Sequence, residues 1–127
     1  MDLLEVFEGS EDREKYPFGS VIFEEGNPGE LMYVVLHGEV ILSLKGQEIA
    51  TVSRGAIIGE MALLNSDVRS ATAIATTDCT LAPIDVHSFK SLIQHTPDFA
   101  LHVMNVLADR LRLANEAMAR IAPDGKT

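Results

Sequence analysis

A chain of 127 residues with 46% hydrophobic content is long enough for one domain with a proper core and too short for two. Its 19 acidic against 10 basic residues give a net charge of -9, which repels nucleic-acid backbone and anionic membrane unless cations concentrate on one face. They do not: Arg110, Arg112 and Arg120 share a predicted helix with Asp109 and Glu116. The single cysteine, Cys79, excludes an internal disulfide and fits a reducing compartment. There is no signal-peptide pattern and no apolar run of about 18 residues. The expectation is a soluble, cytoplasmic domain over residues 1–122 with a loose tail over 123–127, making no direct contact with nucleic acid or membrane.

In chain order, Leu3, Leu4 and Phe7 share one face of a short amphipathic segment over residues 2–7, and residues 8–15 are charged and turn-like. Short apolar segments then follow, predicted as strands over residues 21–23, 31–36, 40–44 and 48–52. Glu25-Gly26-Asn27-Pro28-Gly29 and His37-Gly38 are turns, and Lys45-Gly46-Gln47 closes a tight hairpin. The segment over 31–36 is apolar throughout, as a strand buried on both faces would be. Ala56, Ile57 and Ile58 form one more apolar run, and strands are predicted again over 70–75 and 79–84. Glycines at 19, 26, 29, 38, 46, 55 and 59 punctuate these segments at the spacing of a jelly roll or barrel. A helix follows from Asp85 and Val86 through Leu92 and Ile93, stopping before Pro97. A longer helix runs from Pro97 to about Ile121, with Thr96 as N-cap and Asp98 favourable in its first turn. Along it Met104, Leu107, Leu111, Ala114, Met118 and Ile121 recur in steps of three and four.

Between the earlier strands and the last pair lies the stretch with chemical content, residues 59–71. Gly59 feeds a five-residue segment of good helix formers over 60–64, Asn65-Ser66-Asp67 is a turn, and Arg69 opens the next strand. A glycine leading into one helical turn leaves backbone N–H groups free to attract an anion. Arginine is the side chain best shaped to hold a phosphate through two parallel hydrogen bonds. A carboxylate beside an anion site suits a ligand that also offers a hydroxyl, as acidic residues do for ribose in dinucleotide folds. Glu60 and Arg69 together therefore point to a nucleotide or a sugar phosphate.

Gly59-Glu60-Met61-Ala62-Leu63 followed by Arg69-Ser70-Ala71 resembles the phosphate-binding cassette of the cyclic-nucleotide-binding domain family, whose pattern is Gly-Glu-Leu-Ala-Leu, a short loop, then Arg-(Ala/Ser/Thr)-Ala. The loop has the compact length of the kinase and channel branches. Val68 stands where the family often has proline, and Gly55-Ala56 where it often has Gly-Asp. The resemblance extends over nearly the whole chain. It implies a mainly β fold with flanking α: an eight-stranded jelly roll (double-stranded β-helix) with a short cassette helix, a short N-terminal helix and two C-terminal helices. It also implies a ligand, cyclic AMP or cyclic GMP, and no cofactor. Arg69 would grip the cyclic phosphate, assisted by backbone N–H groups near Met61 and Ala62 and by the Ser70 hydroxyl. Glu60 would accept from the ribose 2′-hydroxyl, Gly59 would let the backbone approach, and Ala71 completes the motif. Threonine beside the arginine tends to favour the guanine nucleotide in the family; serine is compatible with either base. The long C-terminal helix would act as a lid whose position reports occupancy.

Other chemistries find little support. His37, His87, His95 and His102 stand apart with no carboxylate at ligand spacing, so a metal site is not expected. Cys79, inside an apolar strand, is expected to be a buried structural thiol. No nucleophile elbow or Gly-Lys-Thr phosphate loop occurs, and the expectation is a binding module rather than an enzyme. Outside the motif, Glu60 and Arg69 would be an ordinary surface ion pair, worth little. The alternative function is a roll with an empty pocket that serves protein interaction. The apolar stripe has two readings as well: packing on the roll, or pairing with its twin in a homodimer.

Overall fold

The computed structural model describes residues 12–61 and 68–121. The predicted segment over 2–7, most of the cassette helix over 60–64, the turn over 65–67 and the tail lie outside these residues. Among the described residues, eight strands form two antiparallel four-stranded sheets. They are β1 (Glu14–Tyr16), β2 (Val21–Phe23), β3 (Met32–His37), β4 (Val40–Leu44), β5 (Gln47–Val52), β6 (Ile57–Ile58), β7 (Thr72–Ala75) and β8 (Cys79–Ile84). One sheet has the order β1-β8-β3-β6 and the other β2-β7-β4-β5. Two helices follow, α1 (Val86–His95) and α2 (Pro97–Ile121). Mainly β architecture with flanking helices, as expected, is what the chain forms.

The core divides by residue parity. On β3, Met32, Val34 and Leu36 join Ile57 of β6 and Ala82 and Ile84 of β8 in a cluster with Phe89, Phe99 and Val103 of the helices. The alternate residues Tyr33 and Val35, with Ile58, Cys79 and Leu81, face the opposite way and meet Val40, Leu42, Ala73 and Ala75 of the second sheet. A strand's side chains alternate between faces, so a continuous apolar run is what a strand covered on both sides requires. Phe99 is fully buried and meets Phe89 edge-on, with ring centroids 5.8 Å apart, which fixes both helices to the outer face of the first sheet. Among the described residues no helix is long and apolar enough to cross a membrane.

Local chemistry sets the turns. Lys45 (φ 52) and Gly46 (φ 80) both adopt left-handed conformations, the signature of the type I′ turn that matches strand twist in a two-residue hairpin. Cys79 is buried, with Sγ 3.1 Å from the Glu39 carbonyl, as expected of a structural thiol. Two expectations need correction. Residues 14–16 are not turn but strand: Lys15 pairs with Thr80, and Tyr16 packs edge-on to Tyr33 with centroids 6.4 Å apart. The pairing comes from the far end of the chain, so the local run of charge did not reveal it. Strand β7 begins at Thr72 rather than residue 70. Arg69 is drawn out of the ladder, its N–H donating to Asn27 O and its carbonyl accepting from Gly26 N, both at 2.8 Å.

Asp85 caps α1: extended at φ -90 and ψ 176, it accepts from Ser88 N at 2.7 Å. That backbone hydrogen bond holds its carboxyl below the ordinary value of 3.8. A carboxylate with a depressed folded-state pKa stabilises the fold above its unfolded value and loses that contribution as pH falls through the folded one. Acid titration of thermal stability is therefore expected to show Asp85→Ala less stable than wild type at neutral pH, with the gap closing below about pH 4.

Candidate functional site

The residues singled out by the sequence converge where β6 ends. Ile58 leaves the sheet and Gly59 turns the chain at φ 74, a left-handed conformation that suits glycine. A Cβ there would lie 2.7 Å from Arg69 Nη1 and 3.2 Å from Leu31 O, so a side chain would also crowd the guanidinium. Gly59, Glu60, Met61, Ser70 and Ala71 all line one cleft of about 340 Å³. Its other walls are aliphatic: Leu42, Leu44 and Ile49 from the β4–β5 hairpin, Leu107 and Leu111 from α2. Apolar walls with a few convergent polar groups at one end are the usual make-up of a small-molecule site. Ala62 lies outside the described residues.

Glu60 and Arg69 are the buried charged residues among those described, at 5% and 6% exposure, so neither belongs to a surface ion pair. Arg69 is held behind Gly59. Its Nη1 donates to Leu31 O at 2.7 Å and more weakly to Gly59 O at 3.4 Å, and Cζ lies 4.3 Å from the centre of the Phe23 ring. Its Nε is buried and has no hydrogen-bond partner among the described residues. Burial pushes the guanidinium pKa down from its ordinary value, partly offset by the hydroxyls of Tyr33 and Tyr16 and by Glu60. A buried donor without a partner costs about 1–3 kcal/mol, a penalty that an incoming anion would relieve.

Sequence reasoning missed one member of the site. Arg110 of α2 reaches across the cleft, pairs with Glu60 through Nη1 and donates from Nη2 to the Ile57 carbonyl. In the sequence it stands out only as one of three arginines that share a helix with Asp109 and Glu116. Arg112 is solvated and paired with Asp109 and Glu116. The available signal was position: Arg110 follows Leu107 by one short turn, on the side of α2 that meets the roll. The stripe itself divides. Val103, Val106 and Leu107 pack on the core, whereas Met104 and Leu111 are 56% and 62% exposed. Leu101, likewise exposed, extends the outer side.

A family model described as cyclic nucleotide-binding domain matches residues 13–96. The cAMP-activated global transcriptional regulator CRP of Salmonella typhimurium is 31% identical over 114 residues, covering 85% of this chain and 54% of that protein. The cAMP-dependent protein kinase regulatory subunit of Aspergillus fumigatus is 38% identical over 89 residues, 68% of this chain and 22% of that one. The crystal structure of Thermus thermophilus catabolite activator protein superposes with a TM-score of 0.75 at 33% identity, covering 87% of this chain and 54% of that structure. The chain thus spans about half the length of the bacterial relatives it matches.

The Glu60–Arg110 pair has a measurable signature. With Arg110 side chain 24% exposed, losing it should cost less than the ~3–5 kcal/mol of a fully buried pair, and we expect about 1–3 kcal/mol for Arg110→Met. The double variant Glu60→Gln with Arg110→Met should be more stable than Arg110→Met alone, because no uncompensated carboxylate remains buried. Urea unfolding of wild type, the two single variants Glu60→Gln and Arg110→Met, and the double variant measures the coupling.

Proposed function

Because the chain belongs to the cyclic nucleotide-binding domain family, we propose that it is a ligand-sensing module that binds cyclic AMP or cyclic GMP in this cleft and performs no chemistry. The observation that carries the reading is a buried carboxylate, Glu60, lining an aliphatic cleft next to Gly59, with the buried Arg69 guanidinium held directly behind that glycine. Arg69 supplies the cation for the cyclic phosphate, and the exposed Ser70 hydroxyl is beside it in sequence. Glu60 accepts from the ribose hydroxyl. The base lies against Leu42, Leu44 and Ile49 under Leu107 and Leu111, where any flat purine finds apolar area.

The relay follows from Arg110. Its bond to Glu60 ties α2 to the ligand-facing carboxylate, so a ligand that engages Glu60 changes the contacts α2 makes. A ligand shifts such an equilibrium by the difference in its affinity for the two positions. Occupancy would then be reported as the position of α2.

Thermal shift tests the site. A ligand binding only the folded state adds RT ln(1 + [L]/Kd), about 2.7 kcal/mol at a hundredfold excess over Kd, which moves the melting midpoint of a domain this size by several degrees. Cyclic AMP or cyclic GMP should produce that shift and the linear 5′-monophosphates much less; an equal shift from both would indicate generic anion binding. Arg69→Ala should weaken the cyclic nucleotide by about 2–5 kcal/mol, roughly thirty- to several-thousand-fold. A folded chain that responds to neither nucleotide favours the interaction-module alternative.

Assembly is a second part of the proposal. Leu101 and Met104 are exposed on α2 with Ala108 next on the same side, at steps of three and four residues. A seam of that period fits a paired copy of the same helix. Met104→Glu lies away from the cleft and would set like charges across the seam. Sedimentation is expected to show a wild-type dimer and a monomeric variant with native helix content by circular dichroism; a monomeric wild type would remove the pairing.

A further inference from the structure

The β2–β3 turn contains two glycines close together, Gly26 and Gly29, and they differ. Gly26 adopts φ 88 with open space around it, which is a backbone reason for glycine. Gly29 is absent from the positive-φ glycines, so its backbone does not call for one. What excludes a side chain is Arg69: a Cβ on Gly29 would lie 2.1 Å from Nε, 2.4 Å from Cζ and 2.8 Å from Cδ. Arg69 is thus seated in a slot with four sides. Gly29 forms one and Gly59 another; Phe23 stacks at 4.3 Å, and Leu31 O accepts from Nη1 at 2.7 Å. The backbone closes the arrangement, because residues 26 and 27 hydrogen-bond residue 69 on both its N–H and its carbonyl.

From this geometry we infer that Gly29 is a positioning residue: the missing side chain sets where the Arg69 guanidinium sits, and with Phe23 it fixes the arginine in the orientation that receives the ligand phosphate. The inference rests on the cyclic nucleotide reading and deepens it by assigning affinity to a residue outside the phosphate-binding motif. A methyl group at position 29 fits the backbone but not the guanidinium, so Arg69 must leave the slot, losing the Leu31 hydrogen bond and the Phe23 face together. Hydrogen bonds from charged groups depend steeply on alignment, and a displaced arginine keeps its charge but not its paired geometry.

The test is a double-mutant cycle with Gly29→Ala and Arg69→Ala, read by calorimetric titration with cyclic AMP and cyclic GMP and by melting temperature. In the otherwise wild-type chain Gly29→Ala is expected to weaken binding about ten- to a hundredfold, the loss of one charge-assisted hydrogen bond, and to lower the melting temperature. In the Arg69→Ala background the three closest collisions are gone, and both losses should vanish. A merely structural role for Gly29 would instead lower the melting temperature equally in both backgrounds, and that result overturns the inference. Binding of Gly29→Ala as tight as wild type, or tighter, also overturns it. If Gly29→Ala does not fold, Phe23→Leu in the same two backgrounds replaces it. That variant removes the aromatic face, with an expected loss of about two- to thirtyfold only where Arg69 is present. A wild-type chain that binds neither nucleotide defeats the proposed function and this inference with it. Wild-type binding left intact by Gly29→Ala defeats the inference alone.

Discussion

Strand β3 has no face toward water, and the site follows from that constraint. Met32, Val34 and Leu36 are committed to the helices, while Tyr33 and Val35 are committed to the second sheet. A shift of register by one residue would exchange the two sets and disrupt both clusters at once. The fixed register puts the Leu31 carbonyl beside Arg69 and the Tyr33 ring 5.9 Å from its guanidinium carbon. It also fixes β6, whose Tyr33↔Ile58 pairing sets the point at which Gly59 leaves the sheet. Gly59 and Arg69 are thus placed by a strand that carries neither of them.

The two buried charges are held differently, and the difference suits their uses. Glu60 has a charged partner in Arg110, supplied by a helix that packs on the roll only through part of its surface. Arg69 has a carbonyl, two glycine faces and an aromatic ring, all from the β-roll. One charge therefore depends on where α2 lies and the other does not. A burial cost met by a movable partner couples that partner to whatever competes for the charge.

Much of this was legible in the chain. Strand β4 and helix α2 fall where the pattern places them, because turn glycines and Pro97 mark their ends by local chemistry. The cleft residues from Gly59 to Ala71 were legible as a motif, since five of the seven line one cavity in space. Strand β1 was not, because Glu14-Lys15-Tyr16 has no apolar alternation and is strand only through its pairing with β8. The apolar stripe of α2 was seen whole and is in fact shared, Leu107 going to the core, Leu111 to the rim of the cleft and Met104 to the outside. Residues three or four apart differ by enough rotation to fall on either side of the boundary, and spacing alone does not say where that boundary lies. Arg110 was hidden for the same reason.

The pairing of the first strands with the last has a consequence for how the chain assembles. Lys15 finds its partner at Thr80 and Val21 at Ile74, so β1 and β2 emerge during synthesis with no strand to join. The β4–β5 hairpin is the earliest local pairing available, and it forms one wall of the future cleft. Both sheets then wait for β7 and β8, which bring Arg69 in just ahead of them. Non-local closure of this kind is slow relative to local hairpin formation. The cleft is therefore among the last features to be completed, and a nascent chain truncated before residue 72 would have no partner strand for β2.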